Sequence, residues 1–420
     1  MAHPSTEPTD DGPHSPVSAM RPPGKWSFAA GQLAAGLLAL SLVFAVGFAV
    51  AWATSRTAWF GPALTGCFVS LAAAAFIAPK LRNVCFTLWI AAGVALGMSF
   101  PTWFIGVGDF RFTTLFVPIL QVIMFGMGTT LSVGDFARVA KMPGGILVGV
   151  ACQFTIMPLL GFVLAHTFGF PPEIAAGMVL VGVSPSGLAS NVMAYIAKAN
   201  VAMSVTMTAT TTLLAPILTP LLMRLLAGEM IEIDVSAMMW SITKIVLLPV
   251  LGGLVFHHLF YKRFRWLDRV MPMVSMFGIF VMTVLTVAPG RDNLLRMGTL
   301  LIGACLLHCV VGFVLGYCVC RVLRMDKLTA RTISLEVGLQ NAGMASGIAA
   351  ELKKVATLGL APIVFGPVMN ITGSTIANWW RTHPVEPWRN LAVGNNPKRS
   401  EDGPPQTHPK NTNTKSKFAP

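Results

Sequence analysis

Ser334-Leu335-Glu336-Val337-Gly338-Leu339-Gln340-Asn341-Ala342-Gly343-Met344 lies inside an otherwise apolar stretch, about 329–350, that is long enough to cross a bilayer. The run places a carboxylate, two carboxamides and two glycines at membrane depth. An ionised carboxylate there costs roughly 2.5–3.5 kcal/mol on the insertion scales. Glu336 therefore needs a partner, and a bound cation is the simplest one, which makes the run a candidate ion site. The competing reading is a structural ion pair with Lys244, the only lysine well inside an apolar stretch. That lysine could instead snorkel to the interface or attract an anionic substrate.

The rest of the chain supports a membrane setting. Of 420 residues, 54% are hydrophobic and 11% charged, against about 25% charged in soluble domains. The expected fold class is an all-α polytopic membrane protein with the lipid bilayer as its main partner. The net charge of +13 does not indicate nucleic acid, because the basic residues sit between apolar runs, where they orient a membrane protein. Seven cysteines lie mostly inside apolar runs and read as buried small hydrophobes. Residues 1–28 form a polar tail rich in Pro, Ser and Asp, without the apolar core of a signal peptide. Residues 384–420 form a basic tail expected to be disordered.

About twelve apolar segments approach spanning length: 31–54, 59–78, 84–104, 114–131, 144–168, 174–197, 201–226, 237–260, 271–288, 297–322, 329–350 and 356–379. Basic residues collect in alternate connections, at Lys80 and Arg82, Arg138 and Lys141, Lys198, Lys262 to Arg269, and Arg321 to Arg331. By the positive-inside rule this side and both termini are cytoplasmic, as expected for a multi-pass protein of a bacterial cytoplasmic membrane.

Two segments are interrupted by polar and helix-breaking residues. One holds Val183-Ser184-Pro185-Ser186-Gly187-Leu188-Ala189-Ser190-Asn191 and the other holds the Glu336 run. Their centres resemble each other, with Gly187-Leu188 followed by Met193-Ala194 and Gly338-Leu339 followed by Met344-Ala345. Matching interruptions in two halves point to a binding site between inverted repeats, where unpaired backbone carbonyls line a site. The expected organisation is an added hairpin at 29–80 and a core at 83–380, built from repeats 83–227 and 236–380.

Sodium takes about five or six oxygen ligands. Candidates cluster at Gln153, at Ser190 and Asn191, at Ser204 and Thr208 (i, i+4 on one helix face), and at Glu336, Gln340 and Asn341. Glu336 and Gln340 are also i, i+4 if the helix persists there. The bland alternatives are back-bonding of Ser204 and Thr208 to their own helix and interhelical packing of Gln153. His308 reads as a packed interior histidine. The chain has no Walker sequence, dinucleotide fingerprint or His/Cys metal pattern, and no nucleophile and base beside the polar cluster, so it is not expected to be an enzyme.

Four stretches resemble the bile acid:sodium symporter family: Gly126-Met127-Gly128-x-x-Leu131-Ser132-x-x-Asp135-Phe136, Gln153-Phe154-x-x-Met157-Pro158, Ala189-Ser190-Asn191-Val192-Met193 with the Ser204/Thr208 helix, and Glu336-Val337-Gly338-x-Gln340-Asn341. The resemblance implies a ten-helix transporter with core and panel domains and two broken helices crossing near the membrane centre. It implies two sodium ions as co-transported ligands and no organic cofactor. The first ion would take Ser190, Asn191, Ser204, Thr208 and Glu336. The second would take Gln153, Glu336 and Gln340, with the carbonyls of Val337 and Leu339. Asn341 would meet the substrate beside Leu188 and Ala189. Members often carry Gly-Gly-Thr where this chain has Ser186-Gly187-Leu188, so one polar substrate contact is replaced by an apolar one.

The expected function is sodium-coupled symport of a small organic anion (bile-acid-like, keto-acid, pantoate-like or sulfonated) by alternating access. The rivals are proton-coupled or uncoupled transport on the same scaffold and, further off, a transporter-like sensor or membrane enzyme.

Overall fold

The computed structural model describes residues 28–383 and 385, apart from 55, 57–58, 79–80, 133, 135–141 and 261–265. The expected tails fall outside the described residues except at their inner edges, as do Lys80, Asp135, Phe136, Arg138, Lys141 and Lys262. Apolar runs at bilayer depth must satisfy their backbone internally, and the chain does so as helices. In order these are α1 (Phe28–Ala53), α2 (Phe60–Ile77), α3 (Arg82–Ser99), α4 (Phe116–Thr129), α5 (Pro143–Thr167), α6 (Pro172–Val183) and α7 (Leu188–Ile196). They continue as α8 (Val201–Ala227), α9 (Val235–Phe260), α10 (Leu267–Val322), α11 (Lys327–Gly338), α12 (Ala342–Glu351) and α13 (Leu360–Thr382). Among the described residues, 8 helices are long and apolar enough to cross a membrane. The chain is an all-α, multi-pass integral membrane protein.

The expected segments map onto these helices with physical differences. Both interrupted segments are two helices each, α6 with α7 and α11 with α12. The third segment stops at Ser99 and continues into a 3₁₀ turn, Pro101–Phe104. A two-residue β-hairpin, Gly106–Val107 with Phe110–Arg111, joins it to the next. The eighth contains a π turn at Thr243–Leu247. The ninth and tenth form one helical run of 56 residues. Straight, that run would measure roughly 84 Å, far beyond a bilayer. It folds back instead: Met271 near its start fills space beside Gly126, and Met325 just past its end lies beside Gly145. Gly126 and Gly145 flank the loop joining α4 to α5, so both ends of α10 lie on one side. Midway along it, Arg291 Nε donates to Met98 O (2.9 Å) and Asn293 Nδ2 to Ala356 O (3.0 Å).

The centre of the molecule is α6, buried continuously from Ile174 to Val183. It is reached closely by α5 because glycines remove the intervening side chains. A Cβ on Gly182 would stand 2.3 Å from Met157 O, and one on Gly161 2.7 Å from Met178 O. Small residues at such crossings let helix backbones touch where no hydrophobic force draws helices together. His308 is packed here as expected, with Nε2 bonded to Met157 O at 3.0 Å. At one edge of the assembly α1 packs on α2, where Ser41 Oγ donates to Cys67 O (3.2 Å), and α2 on α3, where Thr65 Oγ1 donates to Ala95 O (3.2 Å).

Two polar clasps hold the ends of the broken segments. Buried Arg331, on the second turn of α11, donates to the terminal carbonyls of α13, Trp380 O (3.3 Å) and His383 O (2.8 Å), and stacks over the Trp380 ring at 5.4 Å. At the opposite end Glu173, which precedes the apolar part of α6, pairs with Lys354 and accepts from Thr357 Oγ1 at 2.5 Å. Lys354 and Thr357 hold the Glu173 carboxyl below its usual value of 4.5. A depressed carboxyl stabilises the fold above its unfolded value and loses that contribution as pH falls through the folded one. With the two side chains 37% and 35% exposed, solvent limits the pair to about 1 kcal/mol or less. Purified Glu173→Gln protein should therefore unfold slightly below the parent at pH 7, with the gap closing only as pH falls below 4.5. Thermal melts across that range check this, and a gap that widens in acid would contradict it.

Candidate functional site

The two interruptions meet. Ser186 and Gln340 form an antiparallel bridge, with Gly187 N–H donating to Leu339 O (2.9 Å) and Asn341 N–H to Pro185 O (2.8 Å). Each break leaves helix-terminal carbonyls without intrahelical donors, and each finds one nearby. On α6, Val183 O accepts from Thr219 Oγ1 (2.8 Å) and Ser184 O from Gln153 Nε2 (2.8 Å). On α11, Glu336 O accepts from Ser186 Oγ (3.1 Å), Val337 O from Gln340 Nε2 (2.5 Å) and Gly338 O from Cys309 Sγ (3.4 Å). Gly338 must lack a side chain, because a Cβ there would lie 2.3 Å from the Phe313 ring.

Around this bridge stands a cluster of side-chain oxygens. Glu336 is fully buried, at 0% exposure. Its Oε1 accepts from Ser204 Oγ and its Oε2 from Thr208 Oγ1 at 2.9 Å. Asn191 Oδ1 lies 2.8 Å from Ser204 Oγ and 3.3 Å from Thr208 Oγ1, and Ser190 Oγ lies 3.3 Å from Thr208 Oγ1. Ser190 Oγ also lies 2.8 Å from Gly187 O. With the Ser190 proton on Gly187 O, the Ser204 and Thr208 protons face four acceptor oxygens: Glu336 Oε1 and Oε2, Asn191 Oδ1 and Ser190 Oγ. The site is rich in acceptors and poor in donors, the composition a cation completes.

The alternatives left open by sequence are resolved by this geometry. Ser204 and Thr208 turn their hydroxyls to Asn191 and Glu336 rather than back along α8. Glu336 makes no ion pair with Lys244, whose ammonium stands 5.9 Å from the centre of the Trp240 ring while its carbonyl accepts from Gln121 Nε2 at 3.3 Å. The expected i, i+4 relation between Glu336 and Gln340 does not hold, because α11 ends at Gly338. Gln340 instead crosses to α5, where Gln153 Nε2 donates to Gln340 Oε1 (2.7 Å) and Gln340 Nε2 to Gln153 Oε1 (3.3 Å). Gln153 thus does act as interhelical packing, joined to the break. Val337 and Leu339 are buried with both carbonyls engaged. Asn341 caps α12, accepting from Met344 N–H at 2.9 Å. Leu188 and Ala189, on the first turn of α7, are half-buried beside the same bridge. Ser186, Thr219 and Cys309 join the bridge beyond the site residues expected from sequence. Ser186 stands in the interrupted stretch already noted, whereas Thr219 and Cys309 carry no sequence signal.

The chain is similar to known membrane transporters. A model of the Sodium Bile acid symporter family matches residues 117–297. The chain is 38% identical over 296 residues to YocS of Bacillus subtilis, named an uncharacterized sodium-dependent transporter, covering 70% of this chain and 90% of that relative. It is 34% identical over 300 residues to BASS1 of Arabidopsis thaliana, a probable chloroplastic sodium/metabolite cotransporter (71% and 74% covered). It is 33% identical over 309 residues to the corresponding BASS2 of Oryza sativa (72% and 71% covered).

The reciprocal Gln153–Gln340 pair permits a stability test. Removing one partner strands a buried amide, at about 1–3 kcal/mol, whereas removing both costs less than the sum. Thermal or denaturant unfolding of Gln153→Leu, Gln340→Leu and the double variant should show a favourable coupling of about 1 kcal/mol or more, and strict additivity would contradict the pairing.

Proposed function

Because the chain belongs to the sodium bile acid symporter family, we propose that it imports a small organic anion with sodium by alternating access. The chain is a transporter and not an enzyme, and its relatives are named for sodium and metabolites. The observation that carries the reading is the fully buried Glu336 carboxylate, met by hydroxyls in an acceptor-rich cluster.

On this reading the first sodium ion takes Ser190, Asn191, Ser204, Thr208 and Glu336, and so ties α7, α8 and α11 together. The second takes Gln153, Glu336, Gln340 and the carbonyls of Val337 and Leu339. For that, the carboxamides of Gln153 and Gln340 give up their mutual hydrogen bonds and turn oxygens to the ion. Sharing Glu336 makes the two ions mutually favourable. Sodium shifts the transporter between states only through its different affinity for them. Asn341, Leu188 and Ala189 receive the substrate at the meeting N-termini of α7 and α12, whose dipoles favour a negative group. Leu188 makes that surface partly apolar.

The antiparallel sense of the Ser186–Gln340 bridge supports two inverted repeats, 83–227 and 236–380, forming a ten-helix core and panel with 29–80 as an added hairpin. The distribution of basic residues supports cytoplasmic termini in a bacterial inner membrane.

Glu336→Gln should abolish sodium-dependent uptake in proteoliposomes while the protein still reaches the membrane. Sodium should raise the melting temperature of the parent and leave that variant unchanged. Uptake that ignores sodium and follows a pH gradient would replace sodium coupling with proton coupling, and full sodium dependence in Glu336→Gln would remove Glu336 from the site.

A further inference from the structure

The two helices that leave the bridge are unequally covered. α12 is buried at seven of its ten residues, whereas α7 is buried only at Ser190, Asn191 and Ala194. α12 packs on α4 and α9 as well as on α6 and α13, while α7 packs on α8, α11 and α13. α12 is therefore enclosed by its neighbours, whereas Leu188, Ala189, Val192 and Met193 of α7 are only half-buried.

The enclosure has a tight point. Leu120 of α4 is fully buried, and a Cβ on Gly347 of α12 would stand 2.0 Å from its Cδ2. Leu120 lies one turn past the start of α4 and Gly347 one turn before the end of α12, so both are roughly 6 Å inside their helix ends. Toward those ends a cavity of about 220 Å³ opens between α9 and α12. Ile348, next to Gly347, lines it together with the carboxylate residues Asp234 and Glu351 and with Ser241. Ser241 is 8% exposed, and its Oγ is buried without a protein hydrogen-bond partner. A buried hydroxyl of that kind is costly unless water reaches it, so the cavity is a place for water.

We propose that Leu120 and Gly347 form the outer gate of the transport path, closed here, and that the cavity, whose lining residues Asp234, Ala237 and Glu351 are exposed, lies on the outer side of it. The proposal rests on the alternating-access reading. Glycine at 347 is what lets Leu120 seat. A side chain there overpacks the closed gate and leaves the open one unaffected. Shortening Leu120 loosens the same contact, and the two changes compensate because the added methyl takes space the leucine vacates.

The test uses Ser241→Cys in the full chain, labelled in intact cells by a membrane-impermeant maleimide, with the parent chain measuring background from native cysteines. Gly347→Ala should raise the labelling rate at Cys-substituted 241 by at least about fivefold. Leu120→Ala should also raise it, and the double variant should return toward the Ser241→Cys rate. Unchanged labelling in both single variants, or a double variant that labels as the product of the singles, would overturn the gate. If Gly347→Ala fails to accumulate, Leu120→Ala alone decides by the same criterion. Labelling needs no sodium. A gate that behaves as expected in a chain whose uptake ignores sodium would leave the gate standing and sink sodium coupling. The reverse pattern would sink only the gate.

Discussion

Two helices are interrupted at a depth where water does not satisfy the backbone, and each interruption supplies what the other lacks. Gly187 N–H meets Leu339 O, and Asn341 N–H meets Pro185 O. Side chains from α5, α8 and α10 take most of the remaining carbonyls, through Gln153, Thr219 and Cys309. A lone interruption would strand several polar groups at a few kcal/mol each. The pair is therefore stable only as a pair, and any rearrangement that keeps the backbone satisfied must carry both breaks together. The close crossing of α5 on α6 at Gly161 and Gly182 serves this, because it brings Gln153 within reach of Ser184.

The breaks also decide where charge can sit. With α11 ending at Gly338, its last turn turns the Glu336 side chain toward Ser204 and Thr208 while its main-chain carbonyl faces Ser186. One residue thus joins the backbone bridge to the side-chain cluster. A shift of Glu336 therefore moves the cluster and the bridge together.

Much of this was legible in the sequence. Length and hydropathy gave the spans, since a bilayer imposes a minimum apolar run. Ser184-Pro185-Ser186-Gly187 and Gly338 marked the breaks, since proline and glycine have no stable place inside an unsupported span. Ser204 and Thr208 shared a face by helical period alone. The competing fates of these groups were not legible: whether Glu336 met Lys244 or hydroxyls depended on which helices become neighbours. The i, i+4 relation of Glu336 to Gln340 failed because the helix ends between them, and helix ends are set by the partner carbonyls' donors as much as by local residues. Composition predicts two segments where α10 is a single run, because it reports apolar length and not the continuity of backbone hydrogen bonds. Thr219, Cys309 and Leu120 have ordinary apolar-helix surroundings in sequence and acquire a role only from what faces them.

The clasp of Arg331 on Trp380 and His383 bears on how the chain is made. Synthesis delivers α11 well before the end of α13, so the guanidinium enters the membrane ahead of the carbonyls that accept it. Until the last helix is inserted, Arg331 is a partly buried cation without its acceptors, and the helix that carries Glu336 has one end unanchored. Assembly of the oxygen cluster around Glu336 is thereby placed late in biogenesis. A chain that stops short of Trp380 would lack both carbonyls that accept from Arg331.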